Sequence, residues 1–312
     1  MRLNAAAKQA LATGTQQADD LLKARRKARQ TRNLALAAAT PAGTRRGARG
    51  AAAARQSAGW LLAEGDSWFD YPFNDVLKVL EDAYGYEVES VAHKGDTIES
   101  MAYDGGQLDA LVRRLERMLR YGQTPKAVLL SGGGNDIAGE EFSLLINHAR
   151  SPVAGFNARI VDGLIDERLR TAYLTIIAAV TRVCEGTLGH ALPILLHGYD
   201  YPVPDGRGFA GGWGPLPGPW LEPGFRRKGF LGETAQAWQA RITMLGAVMD
   251  AFNGMLGEIA SLNRLPHVHF VELRRTLSSG ADYKEWWANE LHPTRQGFEQ
   301  VAARYQDVLV TL

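Results

Sequence analysis

From Trp60 onward, short apolar runs alternate with longer stretches in which apolar residues recur every three or four positions. The short runs lie at about 59–65, 86–92, 126–131, 192–197 and 267–272, and each predicts a strand. The longer stretches, at about 74–84, 106–121, 158–187, 233–262 and 294–311, predict helices. Strand and helix in alternation imply an α/β fold with a parallel sheet. Within 106–121, Leu108, Leu111, Leu115, Met118 and Leu119 mark one apolar face, while Arg113, Arg114, Glu116 and Arg117 lie mostly off it as a solvated face. No internal repeat is visible.

Two segments break the rhythm. Residues 1–57 are rich in Ala, Arg and Gln and have almost no aromatic or β-branched side chains, so they cannot build a core of their own. Asn4 to about Ala39 has strong helix formers, and Pro41-Ala42-Gly43-Thr44 with Arg45-Arg46-Gly47 reads as a linker. The second segment, 199–231, holds Tyr199, Tyr201, Phe209, Trp213, Trp220, Phe225 and Phe230 among many Gly and Pro. A loop this long inside a compact domain is usually functional or disordered, and aromatic content argues against disorder. It leaves the predicted fourth strand, so we expect it to cap or line a site at that sheet edge, with Tyr199, Tyr201, Trp213 and Trp220, and Trp68 beside Ser67, as lining candidates. The plainer reading is a packed surface loop with its own aromatic cluster.

Composition adds limits. The chain has 312 residues, 46% hydrophobic and 22% charged, enough for a full core of ordinary globular character. No run of eighteen apolar residues occurs, which argues against a membrane-spanning helix. One cysteine, Cys184, leaves no intramolecular disulfide and no cysteine-rich zinc site, and its helical apolar surroundings fit a buried thiol. The formal charge of +1 hides an asymmetry: residues 1–57 carry 12 Lys/Arg against 2 Asp/Glu, leaving 23 basic against 32 acidic residues beyond them. This basic arm reads as a solvated, partly helical extension, as a self-association helix, or as an arm meeting an anionic surface of lipid or nucleic acid. No secretory-type apolar core follows Met1-Arg2, so a cytoplasmic location is expected, with export by a non-Sec route as the alternative.

The chemistry begins at Leu61-Leu62-Ala63-Glu64-Gly65-Asp66-Ser67-Trp68. An apolar run ending in Gly-Asp-Ser, with a helical pattern soon after, delivers a hydroxyl to the carboxyl edge of an α/β sheet. Ser67 there would sit near helix-start N–H groups, which favour developing negative charge. It reads as a nucleophile.

Three further stretches carry matching residue types: His93-Lys94-Gly95-Asp96 after the second strand, Ser131-Gly132-Gly133-Gly134-Asn135-Asp136 after the third, and Asn289-Glu290-Leu291-His292-Pro293 before the last helix. Hydrolysis of an acyl ester needs a nucleophile, a base for its proton and N–H donors for the oxyanion. Ser67, His292, and the set Ser67 N–H, Gly95 N–H and Asn135 side chain would supply them.

In order and context these stretches resemble the four blocks of the SGNH (GDSL-type) hydrolases. Gly65-Asp66-Ser67 matches the first block, Gly95 the second, Gly133-Gly134-Asn135-Asp136 the third and His292-Pro293 the fourth, over about residues 59–312. The resemblance implies a three-layer α/β/α fold with a flavodoxin-like parallel sheet of about five strands, and esterase, lipase or deacylase chemistry without a metal or other cofactor. It carries over Ser67 as nucleophile and oxyanion donor, Gly95 and Asn135 as oxyanion donors, and His292 as general base.

One position departs from the family. Where it places an Asp three residues before the His, this chain has Asn289. A carboxylate there fixes the imidazole tautomer, and its replacement by an amide in serine proteases costs on the order of 10⁴ in rate. Asn289 acting through its oxygen is the first candidate to orient His292, Glu290 the second; Asp282 or a backbone carbonyl would also serve.

Other polar residues take plainer roles. His93 and His197 read as structural histidines, and Asp66, Asp70 and Asp136 as groups that hold turns. His148, His190, His267 and His269 show no metal-ligand spacing, and the glycine run lacks the sequel of a phosphate loop. The expected substrate is a small-molecule or lipid ester, with a carbohydrate acetyl ester second. A binding protein on the same fold, its triad weakened at Asn289, is the rival reading.

Overall fold

The computed structural model describes residues 3–39, 57–211, 216–232 and 234–312. The predicted linker at 41–47 and Trp213 fall outside them. Five parallel strands form the central sheet: β1 (Trp60–Glu64), β2 (Glu87–Ser90), β3 (Pro125–Leu130), β4 (Ile194–His197) and β5 (Val268–Val271), in the order β2-β1-β3-β4-β5. This is the flavodoxin-like order, whose switch point lies between β1 and β3, where ligands of such sheets bind. Leu61, Leu62, Val128, Leu129, Ile194 and Leu195 are all buried, because helices cover both faces of a parallel sheet.

The long helices are α1 (Ala5–Ala39), α2 (Val76–Tyr84), α4 (Gly105–Arg120), α5 (Arg170–Leu188), α6 (Ala235–Ala260) and α7 (Arg295–Leu309), and a short α3 (Ile98–Tyr103), absent from the predicted elements, precedes α4. Helices α2 and α7 pack together in one layer; α3, α4 and α6 pack around α5 in the other, giving the three-layer α/β/α architecture. The predicted helix over 158–187 is interrupted: a turn of helix at Ala158–Asp162 passes through a π-helical stretch, Gly163–Leu169, before α5 begins. Cys184 on α5 is buried, and burial pushes its thiol up to about 12. None of the described helices is long and apolar enough to cross a membrane.

The first part of the basic arm is docked on the domain. Ala7, Ala10, Leu11, Ala18 and Leu22 recur at helical spacing and are buried along α5. Gly14 lets the two backbones touch, since a Cβ there would stand 2.0 Å from the Thr175 carbonyl oxygen. Ion pairs flank the seam: Arg25 meets Glu116 at 2.6 Å and Asp109 at 3.4 Å, and Arg182 meets Asp19 at 2.7 Å. Part of the arm's positive charge is thus neutralised within the fold.

Candidate active site

Strand β1 ends at Glu64, and a turn over Asp66–Phe69, closed by Phe69 N–H to Asp66 O at 3.0 Å, presents Ser67. Helix α2 starts only at Val76, capped by Asp75, so the helix-start N–H groups expected beside Ser67 are replaced by those of its own turn. Asp66 is buried and holds this turn. Its carboxylate accepts from Trp68 N–H at 3.0 Å, from Ser131 Oγ at 2.7 Å and from the Tyr199 hydroxyl.

Beyond β2, His93 N–H donates to Gly65 O at 2.9 Å and Lys94 N–H to Asp70 at 3.1 Å, which lays the Gly95 loop beside the Ser67 turn. Gly95 has a φ of +90°, a conformation that side chains other than glycine rarely adopt. Beyond β3, the Asn135 amide donates to Asp96 O at 2.8 Å, fixing it against the same loop. Asp136 accepts from Ile98 N–H at 2.8 Å and so joins the loop to α3; burial pushes its carboxyl up to about 6.

The fourth block is a tight turn before α7. Ala288 N–H donates to His292 O at 2.9 Å, and Trp287 bridges Pro293. Within it, Nε2 of His292 lies 2.7 Å from Ser67 Oγ. Its Nδ1 lies 3.0 Å from Asn289 Oδ1, which also accepts from the backbone N–H groups of Leu291 and His292 at 3.0 and 2.9 Å. Two backbone donors aimed at one atom identify that atom as the amide oxygen. The proton of neutral His292 then sits on Nδ1, and Nε2 presents its lone pair to Ser67. His292 and Asn289 are both buried. Burial pushes the imidazole down to about 3, so the ring is neutral at ordinary pH.

The other candidates for orienting His292 lie elsewhere. Glu290 is fully buried and accepts from the N–H groups of Gly206 (2.9 Å), Trp220 (2.6 Å), Leu221 (2.7 Å) and Glu222 (2.9 Å). It pins the 199–231 segment to the His292 turn. Asp282 bonds Ser278 and the Trp286 indole. His93 is exposed, 3.6 Å from Asp96. His197 is a core histidine among Trp68, Phe69 and Tyr305, donating to the Gly198 carbonyl.

Two cavities meet at Ser67. The larger, about 410 Å³, is lined by Ser67, Gly95, Asn135 and His292, with Tyr71, Phe209 and Trp220 among its apolar walls. The smaller, about 40 Å³, shares Ser67 and Asn135 and is closed by Trp68, Tyr199, Leu245, Met249 and Trp287. The aromatic loop divides its residues between roles. Trp220 lines the larger cavity and meets His292 edge-on at 5.5 Å, whereas Phe225 and Phe230 join a separate cluster with Phe142 and Phe156. Among the lining candidates, Trp68 and Tyr199 border the smaller cavity. Tyr201 borders neither, its hydroxyl donating to Asp250 at 2.7 Å instead. It lies two residues beyond Tyr199, half-buried between the buried Asp200 and Pro202, with its ring directed to α6 instead of Ser67.

Sequence reasoning passed over Tyr71, four residues after Ser67. Its ring stacks on His292 at 4.2 Å between centroids and 20° between planes. Its hydroxyl oxygen accepts from the Asn289 amide at 3.0 Å. The only signal in the chain was an aromatic side chain close behind the first block. Among the described residues, no group of three or more His, Cys, Asp or Glu could hold a metal ion.

No family model matches the sequence, and no curated protein does. Similar solved structures include Est24, a carbohydrate acetylesterase from Sinorhizobium meliloti (14% identity, TM-score 0.43, covering 81% of this chain and 99% of that one). LAE5, an alpha/beta hydrolase enzyme from the metagenome of Lake Arreo in Spain, has 14% identity and a TM-score of 0.41, covering 81% and 96%. An extracellular lipase from Streptomyces rimosus has 14% identity and a TM-score of 0.40, covering 81% and 99%.

Proposed function

We propose that this chain is a carboxylic ester hydrolase of the SGNH type that works through an acyl-enzyme on Ser67. The observation that carries the reading is the 2.7 Å contact between Ser67 Oγ and His292 Nε2, in a cavity that also holds Gly95 and Asn135. In this account Nε2 takes the Ser67 proton as Oγ attacks the ester carbonyl. The N–H groups of Ser67 and Gly95 and the Asn135 amide receive the oxyanion. His292 returns the proton to the leaving alcohol, and water then releases the acid by the same route.

The two cavities divide the ester. The group that protonates the leaving oxygen must face it, and only the larger cavity is lined by His292. The alcohol therefore takes the larger, apolar and aromatic cavity, and the acyl group takes the small one beside Ser67, which has room for a short chain. A p-nitrophenyl ester series from acetate to palmitate tests this, with Ser67→Ala as control. Turnover that is highest for the short acyl esters and lost in Ser67→Ala is the expected result. Ester binding without turnover above that control would favour a binding protein on the same fold.

A further inference from the structure

A buried imidazole that becomes a cation during the reaction needs something to stabilise its charge. Among the described residues, no carboxylate faces His292 in this site. The amide oxygen of Asn289 takes the usual place, and Glu290, the nearest acid in sequence, is turned to four backbone N–H groups. A neutral amide dipole opposes the charge less strongly than an ionised carboxylate does. Described groups against the ring include Ser67, the edge of Trp220 and the face of Tyr71.

Resting on the reading of Ser67 and His292 as the reacting pair, we propose that Tyr71 is a positioning residue that takes over the carboxylate's part. Its ring face stabilises the imidazolium, and its hydroxyl engages the amide that orients the imidazole. The near-parallel stack at 4.2 Å lays the negative face of the phenol against the ring that gains charge. The contact at 3.0 Å from the Asn289 amide nitrogen to the Tyr71 oxygen holds the second end of that amide, so both of its polar ends are bound. Tyr71 is itself wedged between Phe209 and Phe298, which keeps the ring from swinging away. The stack and the amide contact are separate interactions, and they converge on the same imidazole.

The cost of losing Tyr71 then depends on what stands at position 289. The test is a cycle of four proteins: wild type, Tyr71→Leu, Asn289→Asp and the double variant, read as kcat and KM on p-nitrophenyl acetate. A desolvated cation–π contact is worth a rate factor of about 30. Tyr71→Leu should therefore lower kcat about 30-fold with Asn at 289, and only a few-fold when Asn289→Asp supplies a carboxylate, whereas any change in KM from the cavity wall that Tyr71 forms should be the same in both backgrounds. Tyr71→Phe, which keeps the face and loses the hydroxyl, should fall between wild type and Tyr71→Leu. Equal losses in the two backgrounds, whether from packing or from misfolding, would overturn the proposal. So would a Tyr71→Leu enzyme as active as wild type. Failure of the underlying reading would look different, as a wild type with no turnover above Ser67→Ala.

Discussion

The side-chain oxygen of Asn289 receives three N–H groups at once: Nδ1 of His292 at 3.0 Å and the backbone donors of Leu291 and His292 at 3.0 and 2.9 Å. That convergence explains how an amide can stand where a carboxylate is usual. In serine proteases an amide at this place fails because it permits the wrong tautomer of the histidine. Here the backbone dictates which end of the amide faces the ring.

Asn289→Ala should therefore lower kcat by about 10²–10³ with little change in KM, because the base loses its tautomer and its aim. Asn289→Asp should keep activity within about tenfold of wild type, since both backbone donors would still find an oxygen. Steady-state kinetics on a short acyl ester decides, and an Asn289→Ala enzyme of full activity would contradict the assignment.

Glu290 makes the opposite prediction. Its carboxylate satisfies four backbone donors, and Gln would turn an N–H group toward some of them. Removing a buried, charge-assisted acceptor costs about 2–4 kcal/mol. Glu290→Gln should unfold at lower denaturant while the folded fraction retains its chemistry. A stable but inactive Glu290→Gln protein would show that Glu290, and not Asn289, orients His292.

Asn135 is expected to donate to the oxyanion while one of its hydrogens stays on Asp96 O. Asn135→Ala should reduce kcat by about 10²–10³, as loss of one such donor does elsewhere, and leave KM within a few-fold. A change confined to KM would place the side chain in substrate binding alone.

Stability should respond to pH in two opposed ways. Burial pushes His292 and His197 down from 6.5 to about 3 and about 4. Below pH 6.5 the unfolded chain therefore gains protons that the folded chain refuses, and stability falls as pH drops toward those values. Glu64, buried at the end of β1, is pushed up from 4.5 to about 8. The folded chain keeps a proton that the unfolded chain releases above pH 4.5, so this group's contribution is lost as pH rises toward 8. Urea titrations of wild type and Glu64→Gln should show an advantage of the variant that grows between pH 4.5 and 8. An advantage independent of pH would mean that Glu64 is ionised in the folded state.

The seam between α1 and α5 depends on Gly14, because any Cβ there meets the Thr175 backbone. Gly14→Val should lower the melting temperature and expose α1 to limited proteolysis, as overpacking of about 1–3 kcal/mol would. Unchanged protease resistance would argue that α1 contributes little to the fold.

What the chain displayed openly was whatever follows from periodicity. The five strands, the long helices and the order of the four blocks come from local apolar spacing, which a single sequence carries. The partners made by turns stayed hidden. Glu290 is adjacent in sequence to Asn289, yet a tight turn sends one side chain to the imidazole and the other to the aromatic loop. Tyr201 is close to Tyr199, yet only Tyr199 reaches Asp66. Tyr71 touches a histidine more than two hundred positions away, and its role exists only once the sheet has brought the first and last blocks together. The docking of α1 was also invisible, because an Ala-rich stripe has little hydrophobic signal until it meets a partner that fits it.

The central claim, that His292 makes Ser67 a nucleophile, is tested most directly by covalent labelling. A fluorophosphonate should add one equivalent to the wild-type chain, mapped by mass spectrometry to the peptide containing Ser67. Labelling should be lost in Ser67→Ala and slowed at least about 100-fold in His292→Ala. A wild-type protein that resists the probe, or one labelled on another residue at the same rate in Ser67→Ala, would contradict it.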